Sequence, residues 1–546
     1  MRKYIATLRR TLCVAGLLAA WSGLVAQYDP SQYFPVELVN NTNIASDEEI
    51  YVIMKALDPA TGNEAFLAFD AQGVGAPASM TADTHSFEYS YKLSDLPVDG
   101  GKRVLYIPRV ESGRMYISIG YPMDMHVSEV GSGLKIPDPD GFNPQDSNYY
   151  TLYDKVEFSY TDAGTWMNPT AVDFFSLPIR IEQSGSSTGY TTSGFYDARS
   201  SIFEQIRSVV SSSDKTTSKV WDTLFLNYTS PDNKTTLLRF MSPGKAMVMI
   251  PNTRPFDQHY LDSEPTYGIN YMDVVWDYYR TNTIRIDCSE LINLFAMDDY
   301  ILTGRVVGDN FEFVNQSGTY SISIPKPDNS MPFFAGAGGV FDAENNTPKA
   351  IIVRQITSAF EVGLLPAANN AMVDRAYFDA NRDIFYNNSA FLPQTEQGPW
   401  YDLYSKALHS FGEEQPIYTF AYDDALGQDG TLHDPNANNL STAVITIGDL
   451  SGTNVPNPYA DDTIYTVTPF IGDGSTVIYN GKPLEYGESI EGVTIPFTVT
   501  VNGEVANIYI RDGFVRPYYD GAYGIVIDHT NNTAANITFP GVPKAE

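Results

Sequence analysis

Residues 155–181 read K-V-E-F-S-Y-T-D-A-G-T-W-M-N-P-T-A-V-D-F-F-S-L-P-I-R-I, a pattern of two strands joined by a polar loop. In the first strand Val156, Phe158 and Tyr160 form an apolar stripe, and Glu157, Ser159 and Thr161 alternate with them on the opposite face. In the second, Asp173 interrupts A-V-D-F-F-S-L, where β-propensity has little use for an aspartate. An antiparallel pairing with Thr161 opposite Ala171 sets Glu157 opposite Phe175 and makes Glu157 and Asp173 diagonal neighbours on one face. Diagonal neighbours lie roughly 7–8 Å apart. Inverting glycosidases hold their carboxyl groups about 6.5–9.5 Å apart and retaining ones about 5–5.5 Å. A lone Glu on a strand is usually a solvated surface residue, an Asp near a Pro is often a turn partner, and a lone Trp is more often core than platform. The joint pattern is what points to chemistry.

The run E-F-S-Y-T-D-A-G-T-W-M-N-P-T-A-V-D-F-F-S-L-P resembles the catalytic signature of the glycoside hydrolase family 64 β-1,3-glucanases, which belong to a thaumatin-like superfamily. Glu157, Trp166, Thr170 and Asp173 fall on that signature's Glu, loop Trp, loop Thr and the Asp before F-F-x-x-P. Ser159 stands where Thr is usual, and Thr161 where Asn is usual. The resemblance implies that Glu157 is the general acid and Asp173 the base that activates water. It also implies cleavage of laminarin-type β-1,3-glucan with inversion, releasing short oligosaccharides. Trp166 would stack on a sugar ring, and Ser159, Thr161 and Thr170 would hold hydroxyls. The opposing reading is a non-catalytic β-glucan-binding or surface-attached thaumatin-like protein.

The rest of the chain is consistent with that frame. At 546 residues it exceeds one ordinary core. Aromatics are 13%, with 37 Tyr, and the 43% hydrophobic fraction excludes disorder throughout. The formal net charge is −32. Such a charge repels phosphate backbones and anionic membrane surfaces, so nucleic acid is not an expected partner, whereas a neutral polysaccharide is electrostatically permitted. A monomer is expected.

Arg2, Lys3, Arg9 and Arg10 precede the apolar run L-C-V-A-G-L-L-A-A-W-S-G-L-V-A, and Ala26 is a plausible cleavage point. Residues 1–26 therefore read as a signal peptide, with export to the periplasm or medium expected. No later segment is long and apolar enough to span a membrane. Cys13 leaves with that peptide, so Cys288 is left without a disulfide partner and is expected to be a buried small hydrophobe.

Residues 27–195 are expected to form a β-barrel or sandwich, built from strands such as Y-F-P-V-E-L-V-N-N-T and E-E-I-Y-V-I-M-K-A-L. Residues 196–452 read as a mixed α/β part, and an open groove is expected between the two. One helix is predicted with Asp197 as cap and Ile202, Phe203, Ile206, Val209 and Val210 buried, and another at Tyr271–Arg280 with Trp276 in the core. A third has Thr347 as N-cap, Pro348 first and Gly363 as the stop. The family resemblance runs over about 34–452. Residues 453–463 read as a linker and 464–546 as a β-rich C-terminal module, in which Asn502-Gly503 predicts a type I′ hairpin turn. The fold class expected is thus mainly β with an α/β lobe.

Other motifs carry no chemistry. G-A-G-G-V-F (336–341) lacks the Lys-Ser/Thr of a phosphate loop. The His residues have no metal-binding spacing, so neither a catalytic metal nor a cofactor is expected. In the acidic loop 423–434, Asp423 and Asp424 are candidate contacts to sugar hydroxyls.

Overall fold

The computed structural model describes residues 32–539 apart from 82–83, 85, 132, 144–145, 215–218, 230–233, 250–270, 366–367, 388–399, 457–464, 495–496, 512–513, 519–525 and 532–533. The expected signal peptide and most of the expected linker lie outside the described residues.

Alternating apolar residues build the first core. Phe34, Val36 and Leu38 on strand Phe34–Asn40, and Ala443, Ile445 and Ile447 on Ala443–Ile447, face the buried positions Val52, Met54, Met115, Ile117, Val156 and Phe158 of a second sheet. One sheet runs in the order Thr192–Gly194, Ile179–Glu182, Ala443–Ile447, Phe34–Asn40, Lys102–Ile107, Val98–Asp99. The other runs Leu432–Asp434, Gly164–Pro169, Leu152–Thr161, Val110–Ile119, Ile50–Leu57, Glu64–Phe69, Gly75–Pro77. The two stack as a sandwich, and of the two expected architectures the closed barrel is not formed among the described residues. The α/β part hands its last two strands back to the sandwich. Leu432–Asp434 pairs antiparallel with Gly164–Pro169, and Ala443–Ile447 lies parallel to Phe34–Asn40.

A second core gathers the helices around a five-stranded sheet, Ser321–Pro325, Asn310–Asn315, Ile301–Val307, Ile284–Asp287 and Ala371–Met372. Helix Pro348–Glu361 begins as its sequence dictates: Thr347 Oγ1 accepts from Ala350 N at 3.3 Å, and Gly363 follows with φ +77°. Helix Tyr271–Thr281 buries Trp276, whose Nε1 donates to Asp309 O at 3.0 Å. Helix Arg199–Ser213 buries Ile202, Phe203, Ile206 and Val210, but its N-cap is Ala198. Asp197 lies one residue too early to cap, and its Oδ2 instead accepts from Gln415 Nε2 at 3.1 Å. Cys288 is buried, and burial pushes its thiol up to about 12, as befits an inert side chain.

A third, smaller core holds Tyr465, Val467, Val499, Ile537 and Phe539 between two sheets of the C-terminal module. Its hairpin Phe497–Val501/Glu504–Arg511 turns at Asn502 and Gly503, both with positive φ (52° and 95°), as a type I′ turn requires.

The hairpin register expected for residues 155–181 is corrected. Thr161 pairs with Gly164, Ser159 with Trp166 and Glu157 with Asn168. The loop closes after Asp162 and Ala163 because Gly164 takes φ +113° against the Leu432–Asp434 strand, where a Cβ would lie 2.1 Å from Asp434 O. Asp173 is therefore not on the strand beside Glu157. It precedes the short strand Phe174–Phe175, which pairs with Thr235–Met241 in the second core.

Candidate functional site

Strand Leu152–Thr161 is buried between its neighbours and presents Val156, Phe158 and Tyr160 to the sandwich core. Its other face carries Tyr153, Lys155, Glu157 and Ser159, since successive side chains alternate. Across the sheet Glu157 faces Arg114 on one side and Asn168 on the other, and Arg114 in turn faces Lys55. Directly opposed side chains have Cβ atoms about 4.5–5.5 Å apart. The register thus lines up Lys55, Arg114, Glu157 and Asn168 as one polar row.

This row floors a cleft of about 390 Å³, walled by Ser112, Asp138, Ser159 and Trp166. That volume lies in the range of small-ligand sites. Arg114 Nε and Nη2 both sit 3.1 Å from Glu157 Oε1, and its Nη1 pairs with Asp138. Lys55 joins Asp138 at 2.8 Å. Burial pushes the Asp138 carboxyl up, but the Arg114 and Lys55 cations outweigh it and hold it well below the usual range. Burial likewise works against the Arg114 cation, and Asp138 and Glu157 more than offset it, so its pKa is raised. Arg114 is therefore a fixed cation whose geometry leaves Oε2 of Glu157 as the oxygen open to a ligand's proton chemistry.

Asp173 reaches the same face through Lys155. Lys155 and Glu157 are two residues apart on one side of the strand, about 7 Å along it. Lys155 Nζ bonds Asp173 Oδ2, and Lys245 Nζ stands 3.1 Å from Oδ1. Ser242 N donates to Asp173 O at 2.9 Å and fixes its backbone. Burial alone raises the Asp173 carboxyl; the two lysines overcome this and bring it to about 2. Asp173 is an anion at any working pH.

The other predicted residues divide. Ser159 lines the cleft, where its Oγ accepts from Ser112 N at 3.2 Å. Trp166 lines it too, with His433 stacked on one face at 4.3 Å and 12°. Thr161 is at the strand end, and its Oγ1 accepts from Ala163 N at 3.1 Å in the turn. Thr170 is buried, bridged to Tyr418 through its backbone, so its hydroxyl does not face the cleft. Asp423 is a correction as well: it is fully buried, and its Oδ2 accepts from Thr419 N (2.9 Å), Thr419 Oγ1 (2.8 Å) and His409 Nε2 (2.9 Å). An acid consumed by three internal partners has nothing to offer a sugar. Asp424 faces the other way, 3.4 Å from the Tyr418 hydroxyl. Burial first, then Asp424, Asp423 and Glu157 push that phenol's pKa up. Sequence reasoning missed Arg114, Lys55, Asn168, Lys155, Lys245 and His433. The alternation of residues 155–159 does place Lys155 beside Glu157, a usable signal; Asn168 lies in the same stretch but meets Glu157 only in the corrected register, and the others come from distant segments.

A family model described as Beta-1,3-glucanase matches residues 32–444. Two curated proteins, each called glucan endo-1,3-beta-glucosidase, are similar over 364 residues: one from Arthrobacter sp. (strain YCWD3) at 25% identity, one from Cellulosimicrobium cellulans at 24%. The match covers 66% of this chain and 56% of each of theirs, so the chain spans little more than half the length of these relatives. Among solved structures, a GH64 β-1,3-glucanase domain from Clostridium beijerinckii superposes with TM-score 0.58 at 24% identity, covering 77% of this chain and 98% of that one. A laminaripentaose-producing β-1,3-glucanase in complex with laminaritetraose gives 0.57 at 22%, covering 77% and 99%. At these identities the two structures speak for the fold.

Proposed function

Since the chain belongs to the glycoside hydrolase family 64 β-1,3-glucanases, we propose that it is an endo-β-1,3-glucanase that hydrolyses laminarin-type glucan by inversion and releases short oligosaccharides. Glu157 is the acid and Asp173 the base. The observation that carries this reading is the pair of unlike carboxyl environments at one strand, where Glu157 stands directly and Asp173 is held through Lys155. Glu157 lies in the cleft with one oxygen held by Arg114 and the other free, while Asp173 is kept anionic by two lysines. Two carboxyl groups in such unlike surroundings suit separate roles as acid and base.

In the step, the proton on Glu157 Oε2 passes to the glycosidic oxygen as the C1–O bond breaks. A water attacks C1 from the opposite side, and its proton goes to Asp173. Glu157 ends ionised and Asp173 protonated, and solvent resets both. Arg114 disfavours a proton on Oε1 and so directs it to Oε2. Export through residues 1–26 belongs to the same proposal.

The test is digestion of laminarin followed by NMR of the first products. An α-anomer appearing before mutarotation supports inversion, and a β-anomer overturns it. A wild-type protein that retains glucan and makes no reducing ends returns the binding-protein reading. A smaller effect is expected at Trp166: with His433 covering one face, its remaining surface lines the cleft. Loss of an aromatic contact of about 0.5–1.5 kcal/mol should raise KM of Trp166→Ala by up to about tenfold, with kcat little changed. A fall in kcat with KM constant would remove Trp166 from substrate binding.

A further inference from the structure

Asp173 carries an ammonium on each oxygen, and the two ammoniums are unlike. Lys155, on Oδ2, belongs to the central strand and its side chain is 5% exposed; Lys245, on Oδ1, belongs to the short helix Pro243–Met249 and is 50% exposed. The other groups facing this carboxylate are Asp140, from the segment after Asp138, the Tyr153 phenol from the strand and the Tyr404 phenol from helix Leu403–His409. None of the three is a cation, and among the described residues the two lysines are what offsets burial.

A general base must accept a proton on one of its oxygens, and a carboxylate bound by two cations is a weak acceptor. Release of one cation makes the carboxylate a better acceptor for the water's proton. Lys155 is enclosed and cannot leave without opening the sheet. Lys245 is half in solvent, and its long flexible stem can swing away at little cost.

We propose that Lys245 is a detachable counter-ion of Asp173: it holds Oδ1 while the groove is empty and leaves it when glucan fills the groove, so that Oδ1 receives the proton of the attacking water. The inference rests on Asp173 being the base, as proposed above. Lys245 acts through Asp173 and is a positioning residue. Lys155 remains on Oδ2 throughout and keeps the carboxylate ionised before the water's proton arrives.

Kinetics separate the two states. The pH dependence of kcat/KM reports the free enzyme, and that of kcat reports the substrate complex. Full-length wild type, Lys245→Met and Lys245→Arg are assayed on laminarin from pH 3 to 8, with thermal melts to confirm folding. In wild type, kcat/KM is expected to stay flat down to pH 3, because both lysines hold Asp173 near 2 in the free enzyme. Removing one cation raises a carboxylate's pKa by about one to two units. The acid limb of kcat/KM in Lys245→Met is therefore expected to rise into the measured range, costing about twofold to tenfold at pH 3. The acid limb of kcat should coincide in wild type and Lys245→Met, because Lys245 has already left in the complex. Lys245→Arg should restore the wild-type kcat/KM profile.

Acid limbs of kcat and kcat/KM that move together overturn the proposal, since Lys245 then stays on Asp173 during turnover. A tenfold rise in KM with neither limb moved also overturns it and makes Lys245 a sugar contact. Asp173→Asn, assayed alongside, separates the two levels. If Asp173→Asn is as active as wild type, the base assignment itself fails. If it is inactive while the limbs of Lys245→Met stay put, only the counter-ion proposal fails.

Discussion

Glu157→Gln is expected to bind laminarin as the wild type does and to hydrolyse it about 10²–10⁴-fold more slowly, the range for loss of a positioned general acid. The substitution keeps the side chain's shape. The amide oxygen can still accept from Arg114 Nε and Nη2, which lie 3.1 Å from Oε1 in the native protein. What is lost is the transferable proton on the second oxygen. The cleft and Trp166 are unchanged, so affinity should persist. The loss should depend on the leaving group: an aryl β-glucoside oligomer with an acidic phenol departs without protonation, and on it the variant should recover most of the wild-type rate. Asp173→Asn should show no such recovery, since attack by water still needs a base. Equal losses for Glu157→Gln on both kinds of substrate would mean that Glu157 does something other than protonate the leaving oxygen.

The residues involved explain why some of this site is written locally in the sequence and some is not. Glu157, Ser159 and their buried partners Val156 and Phe158 follow from a two-residue period within one strand, and they lie where that period puts them. The Thr347, Pro348 and Gly363 signals of the third helix and the Asn502-Gly503 turn are equally local, and they hold. The hairpin register is not local. It is set by Gly164 pressed against Asp434, a contact across 270 positions that no window around Lys155–Ile181 contains. The same applies to Arg114, which reaches Glu157 from 43 residues away, and to Lys245, which is brought to Asp173 by the pairing of Phe174–Phe175 with Thr235–Met241. Asp423 and Asp424 look alike in the sequence. They differ because a one-turn helix points the first at His409 and Thr419 and the second toward Tyr418.

Arg239→Met is expected to destabilise the folded protein by about 3–5 kcal/mol, because three buried carbonyls lose their donor. Arg239 lies wholly inside the protein and gathers three backbone carbonyls: Gly141 O at 3.0 Å, Tyr149 O at 2.9 Å and Thr151 O at 2.8 Å. Its guanidinium also sits 4.9 Å from the ring centroids of both Tyr153 and Phe174. Methionine fills part of the volume but donates nothing, so three buried acceptors lose their partner at about 1–3 kcal/mol each before relaxation. Gly141 shows how closely the loop is fitted, since a Cβ there would lie 2.0 Å from Arg239 Nη1. Loosening this loop loosens Asp138 at its start, then Arg114, which Asp138 holds, and finally Glu157. For a unit of 150–250 residues about 2–4 °C of Tm accompanies each kcal/mol, and the two large cores together are about twice that size, so their transition should fall by about 3–10 °C. The C-terminal module, with its own core, should melt where it does in the wild type. Arg239→Lys should land between the two, since an ammonium keeps the charge but cannot reach three carbonyls in the guanidinium's fixed plane. A melting point for Arg239→Met within about 2 °C of the wild type would mean that the loop finds other donors and that the chain from Arg239 to Glu157 is not what holds the acid in place.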